Sequence, residues 1–371
     1  MERRGLVLSA VSETDRSAYA HRVAKLAECL MQRGIACDFF FMPDHPPLDT
    51  ETTASLFMPF WLGSLRKYDF IYCGGEESAQ ALFFCRKFIK GRIILDIHGD
   101  LLAQSALATE VESGGRKRSA SARVKLIHAM GMTLADHVLT VCTPQTEALA
   151  TSGMPRDKIS LVRNGVDLEF FRFLPQPENP EFTFAYVGEF QVWQGIHNLI
   201  SAFEKFRNSS ARLLLVGFRP EDGAIKDTFR KKFGSRVNLL DRTNRESLVD
   251  ILKSVSILII PRIRHPAILH AFPTKFAEYA ALGRPILVND VDETADFVRA
   301  YECGFVSDPS PDCLAETMLA ASLTPFRELQ EMGKRSRSMA EENFSWDNIG
   351  RKYEVVVRKL IAAEFGPDMT S

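Results

Sequence analysis

The residues best suited to chemistry stand together in one stretch, residues 261–285, which follows an apolar segment. The stretch holds the basic side chains of Arg262, Arg264 and Lys275, together with two histidines and the carboxylate of Glu278. A proline near its middle and a glycine near its end predict a short helix between them. Because the first N–H groups of a helix have no internal partner, such a helix start beside cations favours an anion. We therefore expect a phosphate to bind here.

Glu278 lies about one turn inside this predicted helix, too far from its start to act as a cap. A carboxylate only accepts hydrogen bonds, so beside a phosphate it is suited to hold the hydroxyl groups of a ribose. The alternative is an ordinary surface glutamate. The first interpretation predicts a nucleotide as the ligand.

The elements around this stretch predict an α/β protein. Short β-rich segments alternate with amphipathic helical segments, which is typical of doubly wound parallel sheets. Residues 175–180 contain three prolines, which neither a helix nor a central strand tolerates, so they are expected to link two domains. We predict two Rossmann-like domains, residues 1–165 and 182–344, facing a cleft. Ligands of such sheets bind at the carboxyl ends of the strands.

The composition excludes several classes of protein. The chain has 371 residues, of which 46% are hydrophobic and 25% charged, and its formal net charge is −1. This balance argues against nucleic-acid binding as the main activity. No apolar run reaches the length of a membrane span, and the first residues do not resemble a signal peptide. The seven cysteines form no C-x-x-C pair and are expected to be reduced thiols of a cytoplasmic protein.

One basic run interrupts the even charge distribution. It consists of Arg116, Lys117, Arg118, Arg123 and Lys125, with no acidic residue among them. A solvated loop and helix face is one interpretation. Contact with anionic lipid at the inner face of a membrane, or with a phosphorylated acceptor, is the other.

The stretch 261–285 resembles the signature of retaining glycosyltransferase family 4, the group 1 glycosyltransferases of GT-B fold. That signature has a Glu-x7-Glu motif that enters a helix ending in Ala-x-Gly-x-Pro. Glu278 matches the second glutamate, whereas His270 replaces the first. Further similar passages are Asp96-Ile97-His98-Gly99, Asn164-Gly165-Val166-Asp167, Tyr186-Val187-Gly188, Gln194-Gly195-Ile196, Cys303-Gly304-Phe305-Val306 and Phe344-Ser345-Trp346.

The resemblance implies an activity. Such enzymes move a sugar from a nucleoside diphosphate donor to an acceptor, with retention at the anomeric carbon and without a metal ion. It implies a glycan or lipid-linked acceptor, polysaccharide synthesis at the cell surface and no cofactor besides the donor substrate. It also implies that the last segment, residues 345–371, forms a helix that crosses back to the first domain.

The resemblance also assigns roles to single residues. Glu278 would hold the donor ribose, and the backbone at Ala271, Phe272 and Thr274 would meet the diphosphate. His98 would lie by the donor sugar, unless it is a structural histidine at a strand end. The candidate catalytic residues are thus His98 and His270, and the candidate donor-binding residues are Glu278, Arg262, Lys275, Gly188, Gln194, Ala271, Phe272 and Thr274.

Two departures from the family bear on activity. Members usually carry an arginine and a lysine where this chain has Glu189 and Gln194. Arg262, Arg264 or Lys275 could restore the missing charge, and we expect Arg262 to do so because a guanidinium binds phosphate through two parallel donors. The alternative function is a catalytically silent GT-B protein that binds a nucleotide, a glycan or a partner enzyme.

Trp193 and the Asp290-Val291-Asp292 motif are two further candidates for binding groups. Trp193 would either stack on the donor or serve as a hydrophobic anchor beneath it. Asp290-Val291-Asp292 has the Asp-x-Asp form of metal-dependent glycosyltransferases, but it follows the strand after the Glu278 helix. We expect no metal site there, since the enzymes that this chain resembles need none at that place.

Overall fold

The computed structural model of the protein describes residues 3–9, 18–41, 64–112, 119–178, 181–208 and 210–362. Backbone contacts divide the chain into two units. The first unit combines the residues up to Gly165 with those from Trp346 onward, and the second unit runs from Val166 to Ser345.

Each unit is built on one parallel sheet. The strands of the first unit are β1 (Arg4–Ser9), β2 (Ala36–Phe41), β3 (Phe70–Gly74), β4 (Arg92–Asp96), β5 (His137–Thr140) and β6 (Ile159–Leu161). Those of the second unit are β7 (Thr183–Val187), β8 (Arg212–Phe218), β9 (Val237–Asp241), β10 (Ile257–Ile260), β11 (Ile286–Asn289) and β12 (Gly304–Ser307). The two orders are β2-β1-β3-β4-β5-β6 and β12-β11-β10-β7-β8-β9, so the prediction of two doubly wound parallel sheets is confirmed.

Helices connect the strands in both units. They are α1 (Ala18–Met31), α2 (Glu76–Gln80), α3 (Leu101–Glu112), α4 (Ala122–Leu134), α5 (Thr143–Thr151), α6 (Ile196–Lys205), α7 (Gly223–Phe233), α8 (Arg245–Leu252), α9 (Pro266–Leu269), α10 (Thr274–Ala281), α11 (Thr294–Tyr301), α12 (Pro311–Ser322), α13 (Phe326–Asn343) and α14 (Trp346–Ala362). Short 3-10 helices occur at Ser64–Lys67, Phe83–Phe88, Arg156–Lys158, Val192–Gln194, Pro220–Asp222 and Gly234–Arg236.

The central strands are apolar on both faces because helices cover both faces of a parallel sheet. Every residue of β3 is buried, and so is every residue of β10. Strands of this kind appear in the sequence as uninterrupted apolar runs, which is why their positions could be predicted. The polar groups are left to the loops at the carboxyl ends of the strands.

The proline-containing segment before residue 179 is held within the second unit. The buried Arg284 guanidinium donates to the carbonyl oxygens of Leu174 and Pro175, at 3.0 and 2.6 Å. Its other nitrogen donates to the carbonyl oxygens of Leu252 and Lys253, at 3.3 and 2.9 Å. Among the residues that the structure describes, no carboxylate pairs with it, and burial lowers the pKa of Arg284 to about 10. Arg284 thus attaches the proline-containing segment to the end of α8.

The last helix belongs to the first unit. The chain leaves α13, passes Phe344 and Ser345, and starts α14 at Trp346. Helix α14 packs on α1, where a Cβ on Gly350 would come within 2.6 Å of the Cys29 Sγ atom. Only glycine permits this close approach of the two helices. Tyr353 and Val357 complete the buried face.

Candidate functional site

A pocket of about 170 Å³ lies in the second unit, at the carboxyl end of β7. It is smaller than the roughly 300–1,000 Å³ typical of small-molecule sites, so it would hold part of a nucleotide sugar. Helix α10 contributes Thr274, Lys275 and Glu278 to its wall. Its other lining residues are Phe171, Val187, Gly188, Leu248, Leu252, Tyr279 and Leu282.

Helix α10 is oriented by a hydrogen bond between its Tyr279 and the end of β7. The Val187 N–H donates to the Tyr279 hydroxyl oxygen at 3.0 Å, just where the strand ends. The buried Tyr279 therefore fixes the turn of the helix that carries Lys275 and Glu278. The sequence signal for Tyr279 was its position next to Glu278, and no role had been assigned to it.

Lys275 supplies a cation to the pocket. Its Nζ atom donates to the Tyr186 hydroxyl at 3.1 Å and to Gln194 Oε1 at 3.2 Å, and lies 4.4 Å from the centre of the Tyr186 ring. Within the described residues no carboxylate lies at ion-pair distance from it. Gln194 thus contacts the cation directly at the position where the family usually carries a lysine.

The surroundings of Lys275 weaken its affinity for a proton. Burial and, next, the charge of Arg262 lower the pKa of Lys275 to about 7, while Glu278 and Glu189 act in the opposite direction. Near neutral pH the side chain is therefore balanced between its two forms. An anion bound beside it would favour the charged form.

Glu278 faces a basic residue that sequence reasoning missed. The Arg245 Nη2 atom donates to Glu278 Oε1 at 2.9 Å, and Arg245 is the first residue of α8. Burial raises the pKa of Glu278, and Arg245 opposes this effect. Thirty-three residues separate the pair, so no spacing in the sequence could have revealed it.

Arg262 does not lie free for a phosphate, contrary to what we expected from the sequence. Only 5% of the residue is exposed, and its Nη1 atom lies 2.5 Å from Asp292 Oδ2 and 3.2 Å from the Ala271 carbonyl oxygen. The Asp292 carboxylate already neutralises its charge. Lys275, rather than Arg262, is the basic side chain in the wall of the pocket.

The Arg262 pair predicts an effect on stability. Replacing Arg262 by alanine would leave the buried Asp292 carboxylate without its cation, so we expect Arg262→Ala to lower the free energy of unfolding by about 3 to 5 kcal/mol. Urea denaturation measures this. The control is Arg264→Ala, since that exposed side chain donates to a backbone oxygen, the Asp290 carbonyl, at 2.8 Å. Equal stability of the two variants would contradict the assignment.

The Asp290-Val291-Asp292 motif is engaged within the protein. Asp292 also accepts hydrogen bonds from the backbone N–H and hydroxyl of Thr294, at 2.9 and 2.5 Å. Asp290 pairs with Arg299 at 2.5 Å. Both carboxylates thus have partners that account for their positions.

The loop before α10 is held by contacts within the protein. The Ala271 N–H donates to the Ile268 carbonyl oxygen, and the Phe272 ring is buried against Phe276, Phe297 and Phe344. His270 ends the short helix α9 and is not among the residues that line the pocket. Thr274 is the predicted loop residue that does line it.

Two glycines permit close contacts near the pocket, one with a backbone oxygen and one with a side chain. Gly195 has a φ of 73°, and a Cβ on it would lie 1.7 Å from the Pro261 carbonyl oxygen. Gly188 has a φ of 136°, and a Cβ there would lie 2.6 Å from Lys275 Nζ. No other residue type fits at either position. The neighbouring Trp193 is half-buried, and its carbonyl oxygen accepts from the Ile263 N–H at 3.3 Å.

In the first unit, His98 is held by a buried carboxylate. Its Nε2 atom lies 2.9 Å from Asp96 Oδ2, and Arg22 donates to both oxygens of Asp96, at 2.8 and 2.9 Å. Burial raises the pKa of Asp96, but Arg22 and His98 outweigh it and hold that pKa well below its usual range. Asp96 is therefore ionised and fixes the orientation of the His98 ring, about a fifth of which is exposed.

Only part of the predicted basic run can be located. Residues 116–118 lie outside the described residues. Arg123 and Lys125 lie on the exposed side of α4, next to Leu126, which is 58% exposed. Throughout the described ranges, no helix combines the length and the apolar character needed to cross a membrane.

Comparison with known proteins agrees with this architecture. Residues 168–339, which include the pocket, match the family described as Glycosyl transferases group 1. The capsular polysaccharide biosynthesis glycosyltransferase CapM of Staphylococcus aureus is 21% identical over 217 residues, 57% of this chain and 54% of CapM. The chain thus spans about half the length of the curated relatives that it matches.

Solved structures share the fold over nearly the whole chain. A glycosyltransferase from Rickettsia africae has a TM-score of 0.76 at 14% identity, covering 97% of this chain and 99% of its own. The sucrose-phosphate synthase of Thermosynechococcus elongatus has a TM-score of 0.73 at 20% identity, covering 97% and 100%. HepE of Anabaena, solved with UDP-glucose, has a TM-score of 0.70 at 15% identity, covering 96% and 99%.

The two six-stranded parallel sheets with flanking helices are therefore the GT-B fold of glycosyltransferases. The sequence match to the group 1 glycosyltransferases covers residues 168–339, less than half of the chain.

Proposed function

We propose that the protein is a glycosyltransferase that moves a sugar from a nucleoside diphosphate to an acceptor. The observation that carries this proposal is the pocket of the second unit, where Glu278, Lys275 and the start of α10 face the same space within the family match. Glu278 would accept hydrogen bonds from the ribose. Lys275, Thr274 and the first N–H groups of α10 would bind the diphosphate.

This arrangement would also stabilise the leaving group. As the bond to the sugar breaks, negative charge accumulates on the diphosphate oxygens, next to the Lys275 ammonium group and the positive end of the α10 dipole. We propose that these groups act without a metal ion. The engagement of Asp292 by Arg262 and Thr294 supports this part of the proposal.

The sugar side of the reaction rests on the resemblance to family 4. We propose retention at the anomeric carbon and a position for His98 near the donor sugar, with its ring oriented by Asp96. We place no reacting group on His270, since it does not line the pocket. If His98 contacts the sugar, His98→Ala would lower the affinity for the nucleotide sugar while leaving that for the free nucleoside diphosphate unchanged.

The acceptor is proposed from the names of the relatives. CapM is named for capsular polysaccharide biosynthesis, and a neighbour of this fold, WaaB, is titled a lipopolysaccharide outer core galactosyltransferase. We propose a glycan or lipid-linked acceptor and a cytoplasmic enzyme that contacts anionic membrane through the basic run. Co-sedimentation with anionic liposomes that does not respond to Arg123→Ala and Lys125→Ala would argue against this contact.

A panel of nucleotides tests the proposed function. We expect one of UDP, GDP, ADP and CDP to raise the melting temperature, because a ligand at 100 times its Kd stabilises a protein by about 2.7 kcal/mol. UDP is the first candidate because HepE was solved with it. The matching nucleotide sugars are then tested for hydrolysis and transfer.

The alternative function is a silent binding protein. Glu189, Gln194 and His270 motivated it, but Lys275 occupies the space beside Gln194 and supplies a cation there. Binding of a glycan or a protein partner, with no nucleotide bound or turned over, would support this alternative and contradict the enzyme.

A further inference from the structure

Arg245 occupies a position that helix stability does not explain. It is the first residue of α8, where the helix dipole disfavours a positive charge, and Asn244 already caps the helix by accepting from the Ser247 N–H at 2.8 Å. Its side chain is 48% exposed, and exposed ion pairs contribute little to stability. The reason for an arginine at this position therefore lies elsewhere.

The Arg245 side chain is restrained at two points. Its guanidinium carbon lies 5.6 Å from the centre of the Phe171 ring and 6.0 Å from that of Phe170. Its Nη2 atom donates to Glu278 Oε1 at 2.9 Å. The two contacts fix the planar group against the pocket wall, because Phe171 and Glu278 both line the pocket. A lysine could not make both contacts in the same geometry.

Glu278 depends on such a partner. The side chain is 22% exposed, and burial raises the pKa of Glu278, which disfavours its ionised form. To hold two ribose hydroxyls, it must be ionised and must keep at least one oxygen directed into the pocket. The charged groups facing it are Arg245 from α8 and Lys275 from its own helix. Arg245 bonds to one oxygen, Oε1, which leaves Oε2 as an acceptor for the ligand.

We propose that Arg245 is a positioning residue of the donor site: it orients the Glu278 carboxylate and thereby gives the site its preference for a ribose that carries both hydroxyl groups. This inference rests on the proposed function, since it assumes that Glu278 binds the ribose. It assigns to α8 a part in substrate recognition that the sequence did not suggest.

The test compares ribose with its deoxygenated form. The probes are the nucleoside diphosphate selected by the four-member panel and its 2′,3′-dideoxy form, with affinities measured by calorimetry. We expect the wild-type protein to prefer the ribose form by about tenfold or more, as for lost hydrogen bonds to a charged group. Arg245→Ala should reduce this preference to about threefold or less, with little change in affinity for the dideoxy form. Arg245→Lys should restore part of it.

The control is Arg230→Ala, which removes another helical arginine with a carboxylate partner, Asp227 at 3.2 Å, away from the pocket. This variant should keep the full preference, and melting temperatures identify a variant that fails to fold. An Arg245→Ala variant that binds more tightly, or that keeps the preference for ribose, overturns the positioning role. If the wild-type protein binds none of the four diphosphates, the proposed function itself fails, and the inference fails with it.

Discussion

Replacing Glu278 by glutamine should reduce the affinity for the nucleoside diphosphate by about 100-fold or more. Two ribose hydroxyls would each lose a charged acceptor, and such hydrogen bonds contribute about 1.5 to 3 kcal/mol each. Glutamine keeps the size of the side chain and can still accept from Arg245, so the fold should persist. Isothermal titration calorimetry measures the affinity, and thermal denaturation checks the fold.

A matched control separates this effect from the loss of a carboxylate in general. Glu331 lies on α13 in the same unit and pairs with Lys334 at 2.8 Å, away from the pocket. Glu331→Gln should bind the nucleotide as the wild-type protein does. Equal binding by Glu278→Gln and by this control would remove Glu278 from the site.

Replacing Lys275 by methionine should weaken binding of the nucleotide sugar by roughly 10- to 150-fold, the range for one bond to a charged group of about 1.5 to 3 kcal/mol. The reason is that no other cation of the described residues lines the pocket. Lys205→Met is the control, since that exposed lysine pairs with Asp312 at 2.5 Å on another part of the second unit. If Lys275→Met binds as tightly as the control, the diphosphate is bound elsewhere.

The same lysine gives the affinity a pH dependence. Its pKa is about 7 in the protein without ligand, and the bound diphosphate favours the protonated form, so binding takes up a proton at higher pH. We expect the affinity to fall as the pH rises from 7 to 9, by at most tenfold per pH unit, and the fall to be absent in Lys275→Met. The groups around the lysine are Arg262, Glu278, Glu189 and Tyr186. A nucleotide sugar is the ligand of choice, because its diphosphate is fully ionised over this range.

In the ligand-free protein, Lys275 makes the free energy of unfolding rise with pH, whereas the affinity for the ligand is expected to fall. The pKa of Lys275 lies below the 10.5 of the unfolded chain, so between pH 7 and 10.5 the unfolded state binds more protons. Lys275 therefore makes the folded state more stable as the pH rises through this window.

The sequence allowed the two sheets and the position of α10 to be predicted because these features depend on local patterns. Apolar runs such as β10 identify buried parallel strands, and a proline and a glycine bound the helix that carries Glu278. Strand β8 has an irregular register between Val216 and Phe218, where Gly217 adopts a φ of 130°. Glycine was the local signal for this irregularity.

The pairings of the charged residues could not be predicted, because they join residues that are distant in the sequence. Arg262 and Asp292 are 30 residues apart, and Arg245 and Glu278 are 33 apart. Arg262 and Asp292 follow the neighbouring strands β10 and β11, whereas Arg245 begins α8 and Glu278 lies inside α10, so each pair joins two different elements. The sequence therefore indicated that cations surround the site, but it could not indicate which of them already has a carboxylate partner.

The contact between Lys275 and Gln194 limits how this site could have evolved. Gln194 Oε1 lies 3.2 Å from Lys275 Nζ, so a lysine at position 194 would bring a second ammonium group close to the first. Two neighbouring positive charges repel each other, which favours loss of a proton from one of them. Positions 194 and 275 are thus alternative places for one basic side chain. A change from one to the other would pass most easily through an intermediate with no cation at either position.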